Sequence, residues 1–319
     1  MPVSQPTERA DLSILSPGSE PTEMVALRAE IKLWFDCPFN EYPKQFLEAF
    51  DSLSGRFGAQ FKWYQNYTMN RFSPVTPKTI TSPRTWLRSG RQDVARMLYL
   101  KGPDEMKAAG KYVLHFKYHP AKALYSRGNT PFLRIATPSE PLEQDPRDYL
   151  DTARRLCDLL PYLSGHVGYC LETSPYYENQ AYRAAYPLAM RHPGLNIASD
   201  HATRPLRDEK GVETINWLTL IGAIPLAKLG GAARLRAALA RVPEIQIIDS
   251  ANGVIVRAGD RPQLGDVNRR DALPLYREVY RAVKPVVEPV IARFRPLLLG
   301  GALEDDAEKT QRWLRRFAQ

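Results

Sequence analysis

The chain has 319 residues, 44% apolar and 25% charged, with a net charge of +9 and three cysteines, Cys37, Cys157 and Cys170. Those shares are ordinary for a soluble globular protein, and the length suffices for one large domain or two ordinary ones. No stretch approaches 18 uninterrupted apolar residues, which excludes a spanning helix of that kind. An odd, small cysteine count argues against a disulfide framework and suits a reducing cytoplasm.

The charge is uneven. Residues 66–127 hold twelve Lys/Arg against three Asp/Glu, which equals the whole net excess. Tyr67, Phe72, Trp86, Tyr99, Tyr112, Phe116, Tyr118 and Tyr125 are interleaved there. A basic aromatic stretch fits nucleic-acid binding, an acidic protein partner, or a solvated face whose aromatics point inward. All three stay open from composition alone.

Residues 1–23 are rich in Pro, Ser, Glu and Thr, and read as a flexible lead without the basic start and apolar core of a secretory signal. Residues 24–35 alternate as a strand, with Leu27, Ala29, Ile31 and Leu33 on one face. Residues 42–57 space Phe46, Leu47, Phe50, Leu53 and Phe57 as a helix. A strand is expected at 61–67. The prolines at 74, 77 and 83 then predict a loop, and 91–106 a helix and turn. Strands are expected at 111–119 and 131–137. Asp145 before Pro146 predicts a helix cap and first turn. Residues 166–173 predict a strand, 179–191 a helix limited or kinked by Pro187, and 193–212 a polar loop.

The stretch 213–231, ETINWLTLIGAIPLAKLGG, organises the last third of the chain. Ile215, Trp217, Leu218, Leu220 and Ile221 predict a buried strand that Gly222 breaks. Pro225 suits the first turn of a helix, and Gly230-Gly231 ends it. A helix at 232–242 comes next, then strands at 244–249 and 253–258 joined by an Asn-Gly turn, a strong hairpin signal. Residues 273–298 are helical in pattern with interruptions at Pro285, Pro289 and Pro296. A short helix at 305–317 carries Trp313, Leu314 and Phe317. Strand, helix, strand occurs at 24–67, 131–173 and 214–258. This predicts an α+β fold: mixed, largely antiparallel sheets covered by helices. No linker divides 24–319, so one domain and two packed lobes are both allowed.

Catalytic devices are sparse. His115 and His119 lie four apart on a strand, about 13 Å at 3.3 Å per residue, too far for one metal ion. There is no CxxC, no GxGxxG and no GxxxxGK[ST], and no GxSxG. Ser164-Gly165-His166 is the most tempting set, but it sits where a helix is expected to turn into a strand. Gly165 then reads as a helix stop and His166 as a strand-start residue. Asp200-His201 falls in the polar loop, where a solvated pair is the simpler reading. Asp305-Asp306 fits the start of the last helix. The residues name no catalytic site, metal or cofactor.

Several short segments resemble one family. Asn216-Trp217-Leu218-Thr219 followed by Leu229-Gly230-Gly231 matches its V-N-W-L-T strand and L-G-G. Leu163 to Gly168 (LSGHVG) matches its S-G-H turn, and Ala189 to Leu195 (AMRHPGL) its M-R-Y/H-P-G-L segment. Trp313 to Phe317 (WLRRF) matches its closing helix. The chain is similar, over residues 25–318, to the bacterial type VI immunity family described as type VI immunity for VRR-Nuc. The resemblance implies a cytoplasmic, non-enzymatic antitoxin. Such a protein would bind a cognate type VI secretion effector, a nuclease being one expected kind, and occlude its active site or substrate path. It brings no catalytic residues, metal or cofactor. A protein that mimics DNA should be acidic, whereas this one is basic. An acidic effector surface is therefore expected to dock on 66–127, with Arg71, Arg84, Trp86, Arg88 and Arg91 as candidate contacts. A nucleic-acid-binding protein using 66–127, or a hydrolase using His166 or Asp200-His201, are the alternatives.

Overall fold

The computed structural model describes residues 12–37, 39–88, 96–102, 105–118, 130–199, 206 and 208–318. Among the described residues, twelve strands form a single sheet. In chain order come β1 (Ile14–Leu15), β2 (Glu23–Phe35), α1 (Pro43–Phe57), β3 (Trp63–Asn66), β4 (Ser73–Pro74), α2 (Pro77–Arg88), β5 (Arg96–Gly102), β6 (Tyr112–Tyr118) and β7 (Phe132–Thr137). Next are α3 (Glu140–Gln144), α4 (Pro146–Leu159), β8 (Tyr162–Thr173), α5 (Glu178–Arg191) and β9 (Asn196–Ile197). The last third holds β10 (Leu218–Gly222), α6 (Ala223–Lys228), α7 (Gly231–Leu239), β11 (Ile245–Ser250), β12 (Gly253–Ala258), α8 (Pro274–Ala292) and α9 (Leu303–Leu314).

The spatial order is β11-β12-β10-β8-β2-β7-β6-β5-β3-β4, with β1 beside β2 and β9 beside β8. Every pairing is antiparallel except β8 with β9. The three strand-helix-strand units are crossovers between parallel strands that never touch. β7 and β8 flank β2, and β10 and β11 flank β12. Between β2 and β3 lie β7, β6 and β5. A helix is needed in each unit because the strand must return to the same end of the sheet.

β2 sits at the centre and buries both faces. Ile31, Leu33 and Phe35 point to the face covered by α1. There Phe35 meets Phe46 at 4.9 Å, and Phe46 stacks on Phe39 at 4.0 Å. Phe116 of β6 joins from the same face, 5.5 Å from Phe50. Glu30, Lys32 and Trp34 alternate onto the opposite face. Asp145 caps α4 as expected, its carboxylate accepting from the Arg147 N–H at 3.1 Å.

Several expectations fail for identifiable reasons. The proline-rich stretch is not a loop: Pro77–Arg88 is a helix. Thr76 supplies the cap, its hydroxyl accepting from the Thr79 N–H at 3.3 Å. Pro77 fits the first turn, and Thr79, Pro83 and Leu87 form the buried stripe at i, i+4, i+8. Residues 96–102 form a strand because pairing with β3 and β6 outweighs local preference. Helices α5 and α8 continue past Pro187, Pro285 and Pro289 without ending there, their apolar faces packed on the core. The 193–199 segment is largely buried, not a polar loop.

Gly165 is not a helix stop but lies inside β8. A Cβ there would press into the Lys32 carbonyl oxygen of β2, so only glycine lets the two strands close. Ile215 and Trp217 are buried ahead of β10, which begins at Leu218. Gly230, the cap of α7, and Gly231, its first residue, take φ of +83° and +87°, which explains why glycines stand at this junction with α6. The Asn252-Gly253 hairpin joins β11 to β12 as expected.

Candidate functional site

The polar residues of β2, β7 and β8 meet on the sheet face away from α1. Glu30 pairs opposite Ala136 on one side and Gly168 on the other, which sets its carboxylate between Arg134 of β7 and His166 of β8. The Arg134 guanidinium bridges Glu30 and Glu172. His166 Nε2 lies 2.9 Å from Glu30 and its Nδ1 3.5 Å from Glu213. Glu213 also accepts from Trp34 Nε1 at 2.7 Å and from Lys32 Nζ at 3.3 Å. Lys32 donates to the Ser199 carbonyl at 2.6 Å and lies 4.3 Å from the Trp34 ring.

These groups are nearly dry; Glu30 and His166 are each 2% exposed. Burial alone pushes the Glu30 carboxyl up. Arg134, and the hydrogen bond and charge of His166, outweigh it and hold the acid well below the usual carboxylate range. Burial pulls the Arg134 guanidinium down, and Glu172 and Glu30 more than reverse that. Arg316 is a third buried cation. Among the described residues it has no carboxylate partner, and it donates to Pro193 O at 2.7 Å and Asn196 Oδ1 at 2.7 Å. Burial pulls it down to about 9.

Three carboxylates, Glu30, Glu172 and Glu213, therefore face two cations, Lys32 and Arg134, while Arg316 rests on neutral oxygens. A cavity of about 10 Å³ beside them is lined by Glu30, Lys32, His166, Asn196, Glu213 and Trp313, among others. That is the scale of one water. Glutamates and a histidine this close could exchange a proton. Among the described residues, no cluster of three or more His, Cys, Asp or Glu is arranged to hold a metal ion. The thiolate forms are disfavoured: burial, with Glu41, pushes Cys37 up to about 12, and burial raises Cys157 and Cys170.

The surface candidates lie elsewhere. Arg84 and Arg88 are one turn apart on α2 and both exposed. Arg84 is already engaged, 2.9 Å from Asp51 of α1. Trp86 is partly buried against the core, and Arg71 is exposed just before β4. Arg91 lies outside the described residues, as do His119, Asp200 and His201. His115 belongs to a row of rings, 4.5 Å from Tyr99 and 4.7 Å from Phe132. Part of the basic excess of 66–127 turns inward: Lys101 is buried beneath Phe72 and donates to the Ala108 carbonyl at 2.5 Å.

The four short sequence segments converge on the polar interior. His166 and Gly168 come from β8. A Cβ at Gly168 would collide with the Asn216 side chain, so these two segments lock together. The 189–195 segment contributes Pro193, whose carbonyl takes the Arg316 hydrogen bond. Trp313 and Leu314 cover the cavity. Of the titratable interior residues, sequence reasoning weighed only His166 as a chemical candidate. Glu30, Lys32, Arg134, Glu172 and Glu213 went unmarked, although β2 places two of them on its non-apolar face.

A twelve-stranded, largely antiparallel sheet covered by helices makes this an α+β protein. The sequence matches the model of the family described as type VI immunity for VRR-Nuc over residues 45–317. The chain belongs to that family. The solved structure of the Pseudomonas aeruginosa T6SS protein PA0821 is similar, with a TM-score of 0.77 and 20% identity over 96% of this chain and 87% of that one. At that identity the likeness shows the fold. No curated protein matches. Among the described residues, no helix is long and apolar enough to cross a membrane.

Proposed function

We propose that this protein neutralises a cognate type VI secretion effector by binding it in the cytoplasm, without catalysis of its own. The family match over 45–317 carries the reading. The pairing of the buried charged groups with one another, Glu30 with Arg134 and His166 and Glu213 with Lys32, fits a structural role for that interior. In this proposal residues 24–319 act as one domain, because strands from 23 to 258 share one sheet. The family description points to a VRR-Nuc effector. Inhibition by covering the effector's active site or substrate path needs only a rigid surface, which the sheet supplies.

The docking surface in this proposal is the exposed basic side of α2 and the loop before β4, with Arg71, Arg84, Trp86, Arg88 and Arg91 as contacts. Its partner is an acidic effector surface. The Arg84–Asp51 pair is exposed at both ends, so little holds it against a better partner. Two experiments test this. Co-expression with the effector encoded beside it should restore growth, and purified proteins should form a stable complex; growth arrest despite folded, abundant protein overturns the function. Charge reversal of Arg84, Arg88 and Arg91 to Glu should weaken the complex at least about tenfold. Unchanged affinity in that triple variant overturns the placement and leaves the function standing.

A further inference from the structure

The buried cavity has two polar atoms that no described residue satisfies. His166 Nδ1 and Asn196 Nδ2 are both enclosed and, among the described residues, without a hydrogen-bond partner. His166 is 2% and Asn196 3% exposed, and both line the same cavity. The other polar atoms of these side chains are engaged. His166 Nε2 is held by Glu30 at 2.9 Å, and Asn196 Oδ1 accepts from Arg316 at 2.7 Å. Leaving two such groups bare is costly, because each has given up its hydration for nothing in return. Proteins avoid that cost by enclosing water where a site is polar and large enough.

We infer that the cavity is a specific site for one internal water molecule, bridging His166 Nδ1 and Asn196 Nδ2. The cavity, about 10 Å³, is on the scale of a single water. The chemistry favours a neutral ligand over a cation, because the Lys32 ammonium already occupies the carboxylate side, 3.3 Å from Glu213. The water accepts from the Asn196 amide and donates to His166 Nδ1 when that nitrogen carries no proton. When Nδ1 is protonated, the water accepts from it and passes a donor to Glu213. In either state it relieves the 3.5 Å gap between His166 Nδ1 and the Glu213 carboxylate.

The consequence is connection. Asn196 holds Arg316, so the water joins the Glu30–Arg134–Glu172 chain of the sheet to the segment just after α9. Trp313 and Leu314 close the cavity over it. The water is thus the hinge-pin of a polar line running from β7 through β2, β8 and β9 to residue 316.

A high-resolution crystal structure tests this. The expected result is a well-ordered solvent peak within about 3.2 Å of both nitrogens. In solution, cross-relaxation between water and the His166 ring protons should show a residence time longer than molecular tumbling. A map that resolves other internal waters but leaves this cavity empty, with His166 Nδ1 directly on Glu213, overturns the inference. A peak with five or six oxygen ligands at metal distances overturns the choice of water. Neither outcome depends on effector binding.

Discussion

At the scale of single residues, the interior of this protein is decided by pairing. Arg134 compensates two buried carboxylates at once, so Arg134→Met leaves both charges uncovered. Breaking a buried pair in this way costs about 3–5 kcal/mol, and urea unfolding should show it as a lower midpoint with little change in slope. Glu30 adds a pH signature. Its folded-state pKa lies below the ordinary value of 4.5, so the unfolded chain takes up the proton first as pH falls. The stability that Glu30 contributes is complete above about 4.5 and is lost progressively below it. A melting series from pH 6 to pH 3 should therefore fall more steeply for the wild type than for Glu30→Gln. Parallel curves would show that Arg134 and His166 do not stabilise the ionised acid.

At the scale of elements, what could be read from the sequence depended on how local the cause was. The strand at 24–35, the α4 cap at Asp145 and the Asn252-Gly253 hairpin have causes within a few residues, and all were legible. Helix α2 was not, because three prolines look like a loop until Thr79, Pro83 and Leu87 are seen to share one buried face. The polar site was hidden for the opposite reason. Glu30 and Lys32 alternate with Ile31 and Leu33, which looks like a half-solvated strand. Only the arrival of Arg134, His166 and Glu213, from 104, 136 and 181 residues away, makes that face an interior. The docking candidates were legible as basic residues, but the Asp51 partner of Arg84 was not. Trp217, by contrast, was foreseen as buried and is 1% exposed, with its Nε1 donating to the Gly259 carbonyl at 3.0 Å. Trp217→Ala should cost about 3–5 kcal/mol and leave the affinity of the remaining folded protein for its effector unchanged. Loss of binding by a stable variant would move the docking surface onto this end of the sheet.

At the scale of the molecule, the net charge of +9 is a long-range property that does not specify the fold. If the effector presents an acidic face, encounter should be accelerated, and raising the salt from about 50 to about 500 mM should slow association on the order of tenfold. Dissociation should change much less. A salt-independent association rate would remove charge from the account of docking. The position of β2 carries a different consequence, one of time. This strand is among the earliest made, yet both of its long neighbours, β7 and β8, are encoded roughly a hundred residues or more later, and the residues that seal the polar interior later still. At about 5–20 residues per second, a ribosome needs several seconds to deliver β8 after β2. It needs several more before Trp313 and Arg316 exist. Through that interval β2 lacks its full set of ladder partners and counter-charges, so nascent chains should stay unprotected from protease until synthesis has passed residue 316. A cell defended by such a protein would draw first on the stock it has already finished, because a molecule begun when the toxin arrives has no closed fold until its synthesis is nearly complete.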